Sequence, residues 1–164
     1  MTLRRSALEA SYLRLEKPLY NVLFRLLWHA EDSQDMIHEA YARLWKRRER
    51  IDPSRLDALV WTTALNLARN RLRWSALWRW APMEETDHLD HQRTPETEHA
   101  SHELRRALGQ LPMLSQQVLL LSEFAGLSGA EMAELLRIPK GTVASRKHHA
   151  MDHLRRQLGG RQHG

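Results

Sequence analysis

The side chains best suited to chemistry lie close together near the C-terminal end, at Lys140, Thr142, Ser145, Arg146 and His149. All are hydrogen-bond donors, and two are permanent cations. Arg can bind guanine through two parallel bonds, while Ser and neutral His offer adaptable donor or acceptor groups. Their spacing suits one face of a helix, with Val143 turned inward as an anchor. The element that must position them is legible just upstream. Ser128 and Glu131 form a capping-box pattern that starts a helix. Met132, Leu135 and Leu136 give that helix an apolar face, and small Ala133 permits close packing. Pro139 suits the first turn of a new helix, where its missing N–H is no loss. Helix, sharp turn and polar second helix are the layout of a DNA-binding helix-turn-helix, whose second helix enters the major groove. An ordinary packed helical hairpin has the same pattern. Among the basic residues, Lys140, Lys147, Arg155 and Arg156 suit phosphate contact or simple solvation.

Two further groups carry charge at helical spacing. Asp35, Glu39 and Arg43 recur every four residues and share one face beside an apolar stripe. Such a face could rim a protein contact, where charge sets register and on-rate. It could equally be intrahelical pairing on a solvated surface. Asn66, Arg69, Asn70 and Arg73 combine amide and cationic groups, which suits phosphates and unstacked bases. Trp61 and Trp74 could stack on a base, although burial is the commoner fate of Trp. A further cluster joins Trp74 to Trp78 and Trp80 as a candidate apolar patch. His88, His91, His99 and His102 raise a metal hypothesis, but an acidic tether is a poor preorganised site, and no metal is expected. No phosphate loop, nucleophile elbow or zinc-protease motif occurs, so neither a catalytic site nor a cofactor nor a small-molecule substrate is expected.

The elements that carry these groups read as helices throughout. The chain has 164 residues, of which 42% are hydrophobic, enough for a core, with seven Gly and six Pro. An all-α fold follows, as one large or two small domains. Leu15, Leu19, Val22, Leu23, Leu26 and Leu27 mark a first helix over 6–29. Met36/Ile37, Ala40/Tyr41 and Leu44/Trp45 mark a second over 34–48, preceded by Glu31, Asp32 and Ser33 as start signals. Asp52-Pro53 opens a third over 54–74. Leu104, Ala107, Leu108 and Leu111 begin another unit, and Ser115 is expected to start the helix holding Val118, Leu119 and Leu121. Between the units, 75–99 reads as a flexible acidic linker, helical at most near its ends. The expected organisation is therefore 1–74, 75–99 and 100–160, with Gly159-Gly160 stopping the last helix.

Charge separates these parts. From Glu84 to Glu103 there are seven carboxylates and one Arg, a local charge of −6. Against a total of +5, the remainder carries +11, and 137–164 alone carries +6. A basic end beside an acidic segment suggests a polyanionic partner. Cysteine is absent, which excludes disulfides and thiolate metal sites. No signal peptide or spanning segment is read, so a cytoplasmic location is the expectation.

Two sets of residues, in order, resemble one family. Leu111-Pro112, Ser115, Gly126-Leu127-Ser128, Glu131-Met132-Ala133 and Ile138-Pro139-x-Gly141-Thr142-Val143-x-Ser145-Arg146 resemble the C-terminal domain of extracytoplasmic-function sigma factors. Asp35-Met36-Ile37-His38-Glu39-Ala40-Tyr41-Ala42-Arg43-Leu44-Trp45 resembles that family's Asp-Leu-Val-Gln-Glu-x-Phe-x-Arg-Leu-Trp segment. Residues 64–73 resemble its Ala-Arg-Asn-Leu-Ala-x-Asp-x-x-Arg segment. The resemblance implies a dissociable subunit of bacterial RNA polymerase with two helical domains. Asp35, Glu39 and Arg43 would then meet the core polymerase. Asn66, Arg69, Asn70 and Arg73 would meet the minus-ten element. Lys140, Thr142, Ser145, Arg146 and His149 would meet the minus-thirty-five element. An anti-sigma factor is implied as a further partner. Asn70 in place of Asp, the short chain and the Leu44-Trp45 ending are closer to the iron-starvation branch. His38 replaces the family Gln, Arg137 a common turn glycine, and Ala144 a frequent Arg. Two other readings remain: a stand-alone helix-turn-helix regulator, and a sigma mimic that sequesters an anti-sigma factor.

Overall fold

A computed structural model describes residues 2–77 and 95–159. Among these residues every regular element is helical. The chain divides into two compact units, 1–87 and 88–164. The expected linker over 75–99 lies mostly outside the described residues. At its edges, 75–77 continue the third helix and 95–99 belong to the fourth.

The first unit packs α1 (Arg5–Leu27), α2 (Ala30–Lys46) and α3 (Leu56–Leu77) against one another. Leu19, Val22, Leu23 and Leu26 of α1 meet Ile37, Ala40, Tyr41 and Leu44 of α2, and Val60, Trp61, Ala64, Leu65 and Ala68 of α3; all are buried. The four-residue repeat of α2 is what keeps its stripe on one side. Two starts differ from expectation. The cap of α2 is His29, whose Nδ1 accepts the Asp32 N–H at 3.0 Å. Ser33, expected among the capping residues, is buried inside the first turn and donates to the His29 carbonyl at 2.7 Å. Asp52 does cap, accepting from the Ser54 N–H at 3.0 Å, but the turn it opens is a 3-10 turn over Pro53–Arg55 that runs into α3. α1 closes on Trp28 with φ 53°, a left-handed conformation that a bulky residue rarely adopts.

The second unit comprises α4 (Pro95–Gly109), α5 (Met113–Phe124), α6 (Gly129–Leu136) and α7 (Lys140–Gly159). Ala107, Leu108, Leu111, Val118, Leu119, Leu120, Leu121, Met132, Val143 and Ala150 form its core. Ser115 does not start α5, which begins at Met113; it is buried in the first turn. The capping box at α6 is complete: the Ser128 Oγ accepts from the Glu131 N–H at 3.1 Å, and the Ser128 N–H donates to Glu131 Oε1 at 3.0 Å. Arg137 ends α6 at φ 57°, the backbone state for which a glycine is the easier choice. Pro139 stands one step earlier than expected, as the residue before α7, and its carbonyl accepts from the Thr142 and Val143 N–H groups at 3.0 and 3.1 Å.

Candidate nucleic-acid interface

α7 is oriented by two buried residues two turns apart, Val143 and Ala150. The opposite side presents Lys140, Ser145 and His149 to solvent, while Thr142 and Arg146 are half-buried. The Ser145 hydroxyl donates to the Thr142 carbonyl at 3.1 Å. Arg146 differs from a freely projecting base reader: its Nη1 lies 3.5 Å from the Ser115 Oγ. Ser115, Ser145, Arg146 and His149 line one cleft with Leu111 and Pro112. Elsewhere on α7, Arg156 pairs with Asp152 at 2.8 Å, and the His153 Nε2 meets the Ala107 carbonyl at 3.0 Å. That His153 contact ties α4 to α7; nothing in the sequence pattern singled it out.

On α3, Asn66, Arg69, Asn70 and Arg73 are all exposed within one sector of the helix. The Arg69 Nη2 donates to Asn66 Oδ1 at 2.7 Å, so these two act as one group. Arg71 faces elsewhere and binds Asp32 of α2 at 2.9 Å. Trp61 is 4% exposed and belongs to the core, which removes it as a base-stacking candidate. Trp74 is 59% exposed, one turn beyond Asn70, with Leu77 exposed after it. Trp78 and Trp80 lie outside the described residues, as do His88 and His91. His99 lies 3.2 Å from Glu103.

On α2, Asp35 and Glu39 are exposed, and Arg43 donates to Glu39 Oε1 at 2.8 Å. That bond holds the Glu39 carboxyl below its ordinary range. The i, i+4 pairing weighed as the plain alternative is thus present, on a face that also remains accessible. His38 stacks on Tyr12, with ring centroids 6.0 Å apart.

A polar link that the sequence pattern does not reveal involves the opposite, buried side of α2 at Tyr41. The Ser11 Oγ donates to Asp57 Oδ1 at 2.7 Å and contacts the Tyr41 hydroxyl at 3.0 Å, while the Arg14 Nη2 donates to both Asp57 oxygens at 2.9 Å. One chain of bonds joins α1, α2 and α3. Burial pushes the Tyr41 hydroxyl up to about 12. The available signal was a Tyr and a Ser on otherwise apolar helix faces, since a buried hydroxyl requires a partner.

These features define a helical protein with a helix-turn-helix and a basic recognition helix. Residues 12–76 match the family described as sigma-70 region 2, and residues 101–154 match sigma-70, region 4. The chain belongs to the sigma-70 family, in its extracytoplasmic-function group. It is 27% identical over 139 residues to the ECF RNA polymerase sigma factor RpoE of Cereibacter sphaeroides, covering 79% of this chain and 74% of that one. It is 29% identical over 145 residues to SigL of Mycobacterium tuberculosis, covering 85% and 82%. In fold it is similar to CnrH, solved in complex with the cytosolic domain of CnrY, with a TM-score of 0.74, 21% identity, and coverage of 96% and 91%. It is also similar to RpoE of Bartonella quintana, solved with the anti-sigma factor NepR, with a TM-score of 0.70, 18% identity, and coverage of 92% and 96%.

Proposed function

We propose that this chain is an alternative sigma factor that binds core RNA polymerase and directs promoter-specific initiation. The observation that carries this is the ordered match to sigma-70 region 2 and region 4, on separate helical units. In this reading, 1–74 holds the polymerase and the minus-ten element, 75–99 is a linker, and 100–160 reads the minus-thirty-five element. The exposed α2 face of Asp35, Glu39 and Arg43 meets the polymerase. The α3 sector of Asn66, Arg69, Asn70 and Arg73 meets the opened minus-ten strand, where Arg supplies charge and Asn paired hydrogen bonds. α7 meets the minus-thirty-five duplex through Lys140, Thr142, Ser145, Arg146 and His149.

The protein itself is a specificity subunit and carries no catalysis. An anti-sigma factor is the natural regulator, since two solved proteins of the same fold were captured with partner chains, one of them described as an anti-sigma factor. Among the described residues no helix is long and apolar enough to cross a membrane, and we infer action in the cytoplasm, where the polymerase is. Assignment to the iron-starvation branch rests on Asn70 and the Leu44-Trp45 ending. The test is run-off transcription with purified core polymerase and a promoter library. Specific transcripts that require this chain are expected; folded protein that neither binds core nor yields transcripts would overturn the reading.

A further inference from the structure

The cleft beside α7 has a chemistry of its own. Its volume is about 450 Å³, and its polar lining consists of the Ser115 and Ser145 hydroxyls, the Arg146 guanidinium and the His149 imidazole. The Ser145 proton is engaged by the Thr142 carbonyl, which leaves the Arg146 guanidinium, the His149 imidazole and the Ser115 hydroxyl as donors, and no carboxylate lines the cleft. Ser115 is 2% exposed, and its Oγ steadies the half-buried Arg146 at 3.5 Å. The guanidinium keeps its remaining N–H groups for an anion. His149 is exposed, three residues further along the same helix. A tetrahedral oxyanion suits converging donors of this kind.

We propose that this cleft seats one backbone phosphate of duplex DNA between Arg146 and His149, with His149 as imidazolium, so that DNA binding through α7 takes up a proton. The proposal rests on the DNA-reading role given to α7 above. A neutral imidazole has one donor and one acceptor nitrogen; the imidazolium has two donors and a charge. An anionic phosphate therefore favours the protonated ring, and imidazole is the side chain whose charge changes near neutral pH. Arg146 is the other charged group in the cleft. The side opposite α7 contributes Leu111, Pro112 and Ser115, none titratable, and neither α4 nor α6 lines it. Along α7, Lys147, His148, Asp152 and His153 lie within four residues of His149. Asp152 is held by Arg156, and His153 meets the Ala107 carbonyl.

Phosphate contacts are independent of sequence, so the full chain can be tested on a short duplex of arbitrary sequence. Affinity is measured against salt concentration at about pH 6 and about pH 8. Each phosphate neutralised steepens the log–log salt slope by about 0.9. Other histidines add their own pH dependence, so the comparison is with His149→Gln. The steepening from the higher to the lower pH should be smaller by about 0.9 in His149→Gln than in the parent chain. His149→Arg should be steeper than His149→Gln by about 0.9 at both pH values, with the same residual pH difference. A His149→Gln chain that keeps the full pH difference would overturn the proposal. Imidazole NMR distinguishes the source of the anion. His149 signals that respond to the duplex support the seat; signals that respond to inorganic phosphate but not to the duplex overturn it. A parent chain that binds no duplex at either pH would strike the DNA-reading role itself.

Discussion

Ser11 has one hydroxyl proton, and the Asp57 carboxylate takes it at 2.7 Å. The 3.0 Å contact with Tyr41 must then be filled by the Tyr41 proton, which makes the order Tyr41 to Ser11 to Asp57, with Arg14 closing the far end. Ser11 is fully buried and Tyr41 nearly so, hence neither group can turn to water instead. Tyr41→Phe removes one donor and should cost about 1 kcal/mol. Ser11→Ala leaves the Tyr41 hydroxyl buried without an acceptor and should cost more, about 1–3 kcal/mol. Urea denaturation of both variants checks the ranking; equal small losses would mean that the link is ornamental. This network was illegible in the sequence because its members are 30 and 46 residues apart, and each looks ordinary alone. The residue-level reading of Arg146 was incomplete for a similar reason. Its partner Ser115 stands 31 residues away and resembled a helix start.

Local elements were far more legible, since their signals lie within one turn. The capping box at α6 and the apolar stripe of α2 both appeared at the expected positions. The exceptions are starts made with unusual residues: His29 as a cap, and Pro139 before rather than within α7. Helix ends at Trp28 and Arg137 use positive φ without glycine, which residue type alone does not reveal. The α6 start also has a pH signature. The Ser128 backbone N–H, then its side chain, holds the Glu131 carboxyl below its ordinary value of 4.5. A lowered folded value means that the ionised cap stabilises above the ordinary range and is lost as pH falls through the folded value. Acid unfolding of the second unit should therefore become less steep in Glu131→Gln, which still offers an oxygen to the Ser128 N–H. Far-ultraviolet circular dichroism from neutral to acid pH would measure this. An unchanged acid profile would show that the cap does not contribute.

At the scale of the molecule, each unit buries its own apolar set, and the two sets share no helix. Leu23 is fully buried between α1 and its neighbours, and Leu121 is fully buried within the α5 face that meets α7. Truncating a buried Leu to Ala costs about 2–5 kcal/mol, because it removes apolar burial and leaves a cavity. Each core is built from its own helices, so each unit is expected to unfold in its own cooperative transition. The expectation is that Leu23→Ala lowers one unfolding transition and leaves the other in place, whereas Leu121→Ala does the reverse. The double variant should show both shifts added. Scanning calorimetry, with tryptophan fluorescence to report the first unit through buried Trp61, would separate them. One transition that moves with either substitution would mean that the two units unfold as a single body. The α2 and α3 faces proposed for polymerase and the minus-ten element could then not be destabilised independently of the α7 face proposed for the minus-thirty-five element.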